Sequence, residues 1–218
     1  MTPNSKRALT ALASLAVIAV SGAWIYFKQF KAPKHNVALH QAVGDVMAAE
    51  TARVIGNTGK IVLVTIPASG DPELKTQLDA FKQALKKLGQ IEIREYELDT
   101  KDQPKYGVGT GLSGRRFVRI VGKNTNADAI VSFVGAPKLA EEDLAQLRKA
   151  PKFIAEARSP SHLPKLFEKK LIAVAVVYRF QFPSPVQGNP GTPREWFDKR
   201  FQVVTAQNAN ALPAATEE

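Results

Sequence analysis

Gly59-Lys-Ile-Val-Leu-Val-Thr-Ile-Pro67, the turn Ala68-Ser-Gly-Asp-Pro72 and the leucine-spaced run ending at Gly89 decide the fold class of this chain. Lys60–Ile66 is short, apolar and rich in β-branched residues, and Gly59 and Pro67 bound it. That pattern predicts a strand covered on both faces. Asp71 stands where a helix N-cap belongs and Pro72 where the first helical residue belongs. Leu74, Leu78, Phe81, Leu85 and Leu88 then form one apolar stripe, with Lys75, Lys82, Lys86 and Lys87 outside it, and Gly89 stops the helix.

Working outward, Gln90–Leu98 alternates apart from one slip at Glu95, as a half-exposed strand near a sheet edge would. A polar loop from Asp99 leads to Ser113 and a helix carrying Phe117, Ile120 and Val121. Ala127–Val134 repeats the strand-then-turn pattern, Glu141–Lys149 reads as a helix, and Lys152–Ala155 as a fourth strand. Ser159-Pro160 opens a further helix, and Leu171–Val177 is the fifth strand. Strands alternating with helices at this spacing predict a three-layer, doubly wound α/β fold with a mainly parallel five-stranded sheet of order 2-1-3-4-5. After a Pro/Gly loop, Arg200–Thr205 has strand character. It is expected to turn back and pair antiparallel with the fifth strand, which continues as Tyr178–Phe182, giving a sixth strand with Trp196 and Phe197 packing at its end.

Ala8–Phe27 carries no charge and is long enough, as a helix, to cross a bilayer once. Lys6 and Arg7 precede it, and Trp24, Tyr26, Phe27 and Lys28 close it as interfacial anchors. The expectation is an uncleaved, single-pass signal anchor in the cell membrane, with the carboxyl-terminal domain outside the cytoplasm. A cleavable signal peptide ending at Ser21-Gly-Ala23 is the alternative. The expected organisation is a membrane anchor with basic flanks over 1–34, a linker helix over 35–58, the α/β domain over 59–182, the Pro/Gly loop and last strand over 183–205, and a loose tail over 206–218. The linker helix can pack on the sheet or serve as a signalling or dimerising stalk.

The 218 residues are 44% apolar, enough for a substantial core, and contain no cysteine, which excludes disulfides and thiolate chemistry. The formal charge is +10. Lys6, Arg7, Lys28, Lys31 and Lys34 precede the first acid, Asp45; beyond them 25 basic residues face 20 acidic ones. Half of the basicity therefore flanks the hydrophobic segment and suits phospholipid head groups rather than nucleic acid. Arg115, Arg116, Arg119 and Lys123 share a helix with Phe117, Val118, Ile120 and Val121, as a solvated face does.

From Lys60 to about Phe182 the chain resembles the amino-terminal lobe of type I periplasmic binding proteins, the sugar-binding family shared with regulators of the lactose-repressor type. The resemblance rests on Lys60–Ile66 with its helix, on Gly111-Leu-Ser-Gly-Arg-Arg-Phe-Val-Arg-Ile120 and on Ala127-Asp-Ala-Ile-Val-Ser132. It implies a ligand site at the carboxyl ends of the strands, in a family where two lobes close on the ligand. The residues after Phe182 are too few for a second lobe, so a single lobe is expected here.

Gly109-Thr-Gly-Leu-Ser-Gly114 matches a dinucleotide-binding spacing but follows the second strand by a long loop, not the first strand by a tight turn. Pro67–Asp71 has no phosphate-binding lysine. No G-x-S-x-G or H-E-x-x-H occurs, and no cofactor, metal or catalytic set is expected. His35 and His40 read as lying beside the membrane, and His162 as solvated at a helix start. Candidate ligand-binding residues on the strand-end rim are Ser69, Asp71, Asp99, Gly135, Lys138 and Glu156. The function expected is an extracytoplasmic ligand-binding or sensor-like domain for a small polar ligand. The alternative is a structural or assembly component of an envelope complex that uses the same fold without binding one.

Overall fold

The computed structural model describes residues 3–29, 36–99, 112–147, 149–157, 160, 162–179 and 191–212. The chain divides into two compact units, Met1–His35 and Asn36–Glu218. The first contains helix α1 (Pro3–Gln29), which carries the charge-free stretch. Leu12, Leu15, Ile18, Trp24 and Ile25 on it are exposed. Among the described residues no helix is long and apolar enough to cross a membrane, so the expected bilayer crossing is not shown.

In the second unit, β1 (Thr58–Thr65), β2 (Gln90–Glu97), β3 (Ala129–Ser132), β4 (Lys152–Ala157), β5 (Val174–Tyr178) and β6 (Phe201–Val204) form one sheet of order β2-β1-β3-β4-β5-β6. The first five strands are parallel, as the alternation of elements predicts, and β6 is antiparallel to β5. β1, rich in Val, Leu and Ile, is central and buried; β2 alternates and lies at the edge.

Helices cover both faces. On one, α2 (Val37–Ile55), α3 (Pro72–Leu88) and α7 (Pro193–Arg200) supply Val43, Met47, Leu78, Phe81 and Phe197 to a core with Leu63, Val131, Ile154 and Val176. On the other, α4 (Gly114–Lys123) and α6 (Leu163–Glu168) pack Phe117, Ile120, Leu163 and Phe167 on Val64, Ile130, Phe153 and Val177, with the short α5 (Glu141–Ala145) beside α4. Each large side chain so buried contributes about 1.5–3 kcal/mol. The α3 start follows its sequence signal: Asp71 Oδ1 accepts from Glu73 N at 3.1 Å and Leu74 N at 2.9 Å. Asn36 caps α2 in the same way, accepting from Leu39 N at 3.1 Å. α2 is packed on the sheet and against α3; at Gly44 the two helices approach so closely that a methyl group would overlap the Gln77 carbonyl.

Helix α6 starts at Leu163, after the expected opening at Ser159-Pro160, and other elements refine the sequence expectation in detail. The antiparallel pairing of β6 on the fifth strand is as expected: Phe201 pairs with Tyr178 and Val204 with Ala175 on the apolar part of β5, and residues 180–182 of its expected continuation lie outside the described set. This register buries Phe201 against Tyr178, with ring centroids 4.2 Å apart, and stacks it on Phe197 at 5.6 Å. β5 starts at Val174 because Leu171 is still closing α6, its N–H donating to Leu166 O at 2.9 Å. α5 stops at Ala145, short of the expected Lys149, as the chain tightens into three-residue turns at Gln146 and Leu147. Trp196 and Phe197 sit on a helix, α7, capped by Thr192 Oγ1 accepting from Glu195 N at 3.2 Å.

Candidate ligand-binding site

Parallel strands deliver their carboxyl ends, and the loops that follow, to one rim of the sheet. After β1, Ser69 is exposed in the short turn Ala68–Gly70, while Asp71 is turned into the α3 cap. After β2, Asp99 is exposed, and residues 100–111, with Gly109 and Gly111 of the glycine pattern, lie outside the described set.

The β3 loop is the most constrained part of the rim. Ser132, fully buried at the end of β3, donates through Oγ to the Gly135 carbonyl at 2.7 Å and accepts from Val134 N at 3.3 Å. Gly135 adopts φ 99°, a conformation open to glycine and strained for other residues. The turn presents the Ala136 carbonyl to His162 Nε2 at 3.0 Å. A carbonyl only accepts, so Nε2 carries the proton and Nδ1 is left as an acceptor. Burial holds the His162 imidazole below its ordinary value; the Ala136 carbonyl opposes this, and the nearby Lys138 charge adds to it. His162 is therefore half-buried and hydrogen-bonded rather than solvated, contrary to the sequence expectation. Lys138 is exposed and forms a parallel bridge with Ser113, which ties the start of α4 to this loop.

Glu156, next to last in β4, is 5% exposed and shares a sheet face with Ile154, beside Val176 of β5. Burying a carboxylate is costly unless it is partnered, and Glu156 is held by an interaction within the fold. On the same face the amino ends of α2 and α3 reach the rim, since both helices run antiparallel to the strands that follow or precede them. There His40, placed beside the membrane by sequence reading, is buried in the domain: its Nδ1 is 3.1 Å from Gln77 Nε2 and its Nε2 is 3.6 Å from Glu73 Oε2. With the Gln77 amide donating, Nδ1 accepts and the ring proton faces Glu73.

The rim thus gathers Ser132, Gly135, Lys138 and His162 around β3 and adds Glu156 from β4; Ser69 and Asp71 stand on the β1 turn, and Asp99 at the sheet edge. Hydroxyl, imidazole, carboxylate and ammonium groups in this setting can exchange hydrogen bonds with a polyhydroxylated or zwitterionic molecule. Among the described residues there is no group of three metal-ligating side chains. The α4 amino end does not resemble a phosphate seat. A methyl on Gly114 would overlap Asp143 Oδ2 and come 2.8 Å from the Lys138 carbonyl, so acceptors already face this helix start. A cavity of about 520 Å3 lies at the opposite edge, between the amino ends of β4 and β5, and not on this rim.

Sequence reasoning missed Ser132, His162 and the His40–Gln77 pair as parts of the site region. For Ser132 a signal existed in Ser132-x-x-Gly135, a strand-end hydroxyl three residues before a glycine. Neither histidine has a local signal, because its partners come from elements 26 and 37 residues away.

No protein-family model and no curated protein matches the chain. Solved structures do resemble it. The arabinose-binding protein AraP from Geobacillus stearothermophilus superposes with a TM-score of 0.55 at 16% identity over 80% of this chain and 63% of that one. A sugar-binding protein of a sugar ABC transporter from Bacillus halodurans gives 0.53 at 13% identity, over 79% and 64%. A solute-binding protein from Burkholderia graminis, solved with D-arabinose, gives 0.52 at 18% identity, over 79% and 62%. The likeness is one of fold, a periplasmic-binding-protein-like α/β domain, and the chain spans less than two thirds of the length of each of these structures.

Proposed function

We propose that residues 36–218 are a non-catalytic binding domain whose strand-end rim takes a small polyhydroxylated ligand, with residues 60–182 corresponding to the amino-terminal lobe of a type I binding protein. The observation that carries this reading is the gathering, at the one rim where open α/β sheets take ligands, of the buried Glu156 carboxylate on the α2/α3 face and of a β3 turn braced by Ser132, Gly135 and His162. The fold likeness to sugar-binding proteins supports the ligand class. Ser69, Asp71, Asp99 and Lys138 form the outer part of the proposed site. The exposed apolar residues of α1 and the charge-free run 8–27 support an anchor role for α1 in the cell membrane, with the domain outside the cytoplasm.

Calorimetric titration of the full chain with pentoses and hexoses tests the site. Glu156→Gln should weaken binding about tenfold, as expected for one hydrogen bond to a charged group. Absence of heat with every sugar, together with one stoichiometric protein neighbour on crosslinking in intact membranes, would favour the assembly alternative instead. A reporter fused after Glu218 that is active only outside the cytoplasm should be active if the orientation is right.

A further inference from the structure

At the sheet edge opposite the rim, the cavity of about 520 Å3 between the amino ends of β4 and β5 falls in the size range of small-molecule sites, roughly 300–1,000 Å3. Its floor is apolar. Leu147, Phe153, Phe167 and Ile172 line it and are each at most 5% exposed, with Leu144 and Leu171 beside them. Lys152, Lys169 and Lys170 also line it, and all three are exposed, so the cavity has an apolar floor and a cationic mouth. Among the described residues neither Lys152 nor Lys170 forms an ion pair, whereas the nearby carboxylate Glu141 is held by Lys165 at 2.7 Å.

Lys170 adds an independent observation. It has φ 56°, the left-handed conformation in which a helix commonly ends on glycine, and its N–H donates to Phe167 O at 2.9 Å to close α6. A lysine there is less stable than a glycine, and it sets an exposed cationic residue in the cavity wall. Backbone strain held at a cavity wall is the kind of outlier from which a functional role is inferred.

We propose that this cavity binds an amphipathic organic anion, a compact apolar or aromatic body whose single carboxylate, sulfonate or phosphate is held by the lysines at the mouth. The site is distinct from the strand-end rim and does not depend on the reading given to it. The test is methyl NMR of the full chain titrated with naphthalene-1-sulfonate, and with 1-naphthol as the uncharged counterpart. The sulfonate should shift the methyl resonances of Leu144, Leu147, Leu171 and Ile172 saturably, while those of Ile66 and Val134 at the rim stay in place. Loss of the charge should weaken binding about tenfold. Lys152→Gln and Lys170→Gly should each weaken the sulfonate and leave 1-naphthol unchanged, and Lys170→Gly should also melt higher than the parent, which shows that it folds. No saturable shift at these methyls, equal binding of the two probes, or shifts at Ile66 and Val134 instead would overturn the proposal.

Discussion

Replacing Gly44 by alanine sets two effects of opposite sign against each other. In a helix interior alanine is favoured over glycine by about 0.8–1.0 kcal/mol, so α2 alone would gain. Against this, the new methyl group would overlap the Gln77 carbonyl and lie 2.8 Å from Ala80 Cβ and 2.9 Å from Phe81 N. Two of these three atoms belong to the α3 backbone and cannot rotate away. To restore ordinary contact the helices must part by about 1 Å, and a gap of that size forfeits a quarter to a half of each dispersion contact along the seam. That seam carries Val43, Met47, Leu78 and Phe81. Overpacking of this kind costs about 1–3 kcal/mol, and rigid backbone neighbours put Gly44→Ala at the upper end, leaving a net loss of about 2 kcal/mol after the propensity gain. For a domain of this size the melting temperature should fall by roughly 4–8 °C. Gly122→Ala on α4 is the matched control, because no heavy atom lies within 4 Å of its added methyl, and it should be neutral or stabilising. Thermal melts of the full chain followed by circular dichroism decide the matter. If Gly44→Ala melts at or above the parent, α2 and α3 are not packed as described.

Phe197→Ala removes a fully buried ring stacked on Phe201 and should cost about 3–5 kcal/mol in urea unfolding; a loss below about 1 kcal/mol would mean that α7 does not pack on the sheet. Gly135→Ala forces a side chain into φ 99° and should cost about 1–3 kcal/mol, read from the same unfolding curves. His162 gives a pH dependence. Burial lowers its folded pKa below the unfolded value of about 6.5, so the folded state binds fewer protons, and stability fully present above that pH is lost as pH falls from there through the lowered folded pKa. Urea midpoints at pH 7.5 and 5 should therefore diverge more for the parent than for His162→Gln, and equal divergence would remove His162 as the cause.

What could be read from the sequence was local. The strand, turn and helix of residues 58–89 follow from a β-branched run, an Asp-Pro start and a leucine stripe, all signals that neighbours in sequence supply. Strand order followed from the apolar character of β1 against the alternation of β2. What escaped depends on distant partners. The β6 register is set by Phe201 meeting Tyr178 and Phe197, not by the alternation of Tyr178–Phe182. Helix α7 has no apolar stripe, only the Thr192-Pro193-Arg194-Glu195 start, which is a helix signal easily overlooked beside a Pro/Gly loop. His40 and His162 are indistinguishable from solvated histidines until Gln77 and Ala136 are brought to them. The candidate rim was reachable because strand ends fix where an α/β sheet meets ligands. Which rim groups are buried was not, since Glu156 reads in sequence like any polar residue at a strand end.

The central claim, a small-ligand site on the strand-end rim, is tested most directly by melting the full chain with a panel of pentoses and hexoses. A sugar present at one hundred times its dissociation constant stabilises the folded state by about 2.7 kcal/mol, which for a domain of this size is a rise of roughly 5–10 °C. The account predicts such a rise with at least one sugar, and its loss in Glu156→Gln at the same concentration. A melting temperature that no sugar moves, or a rise that Glu156→Gln leaves intact, would contradict it.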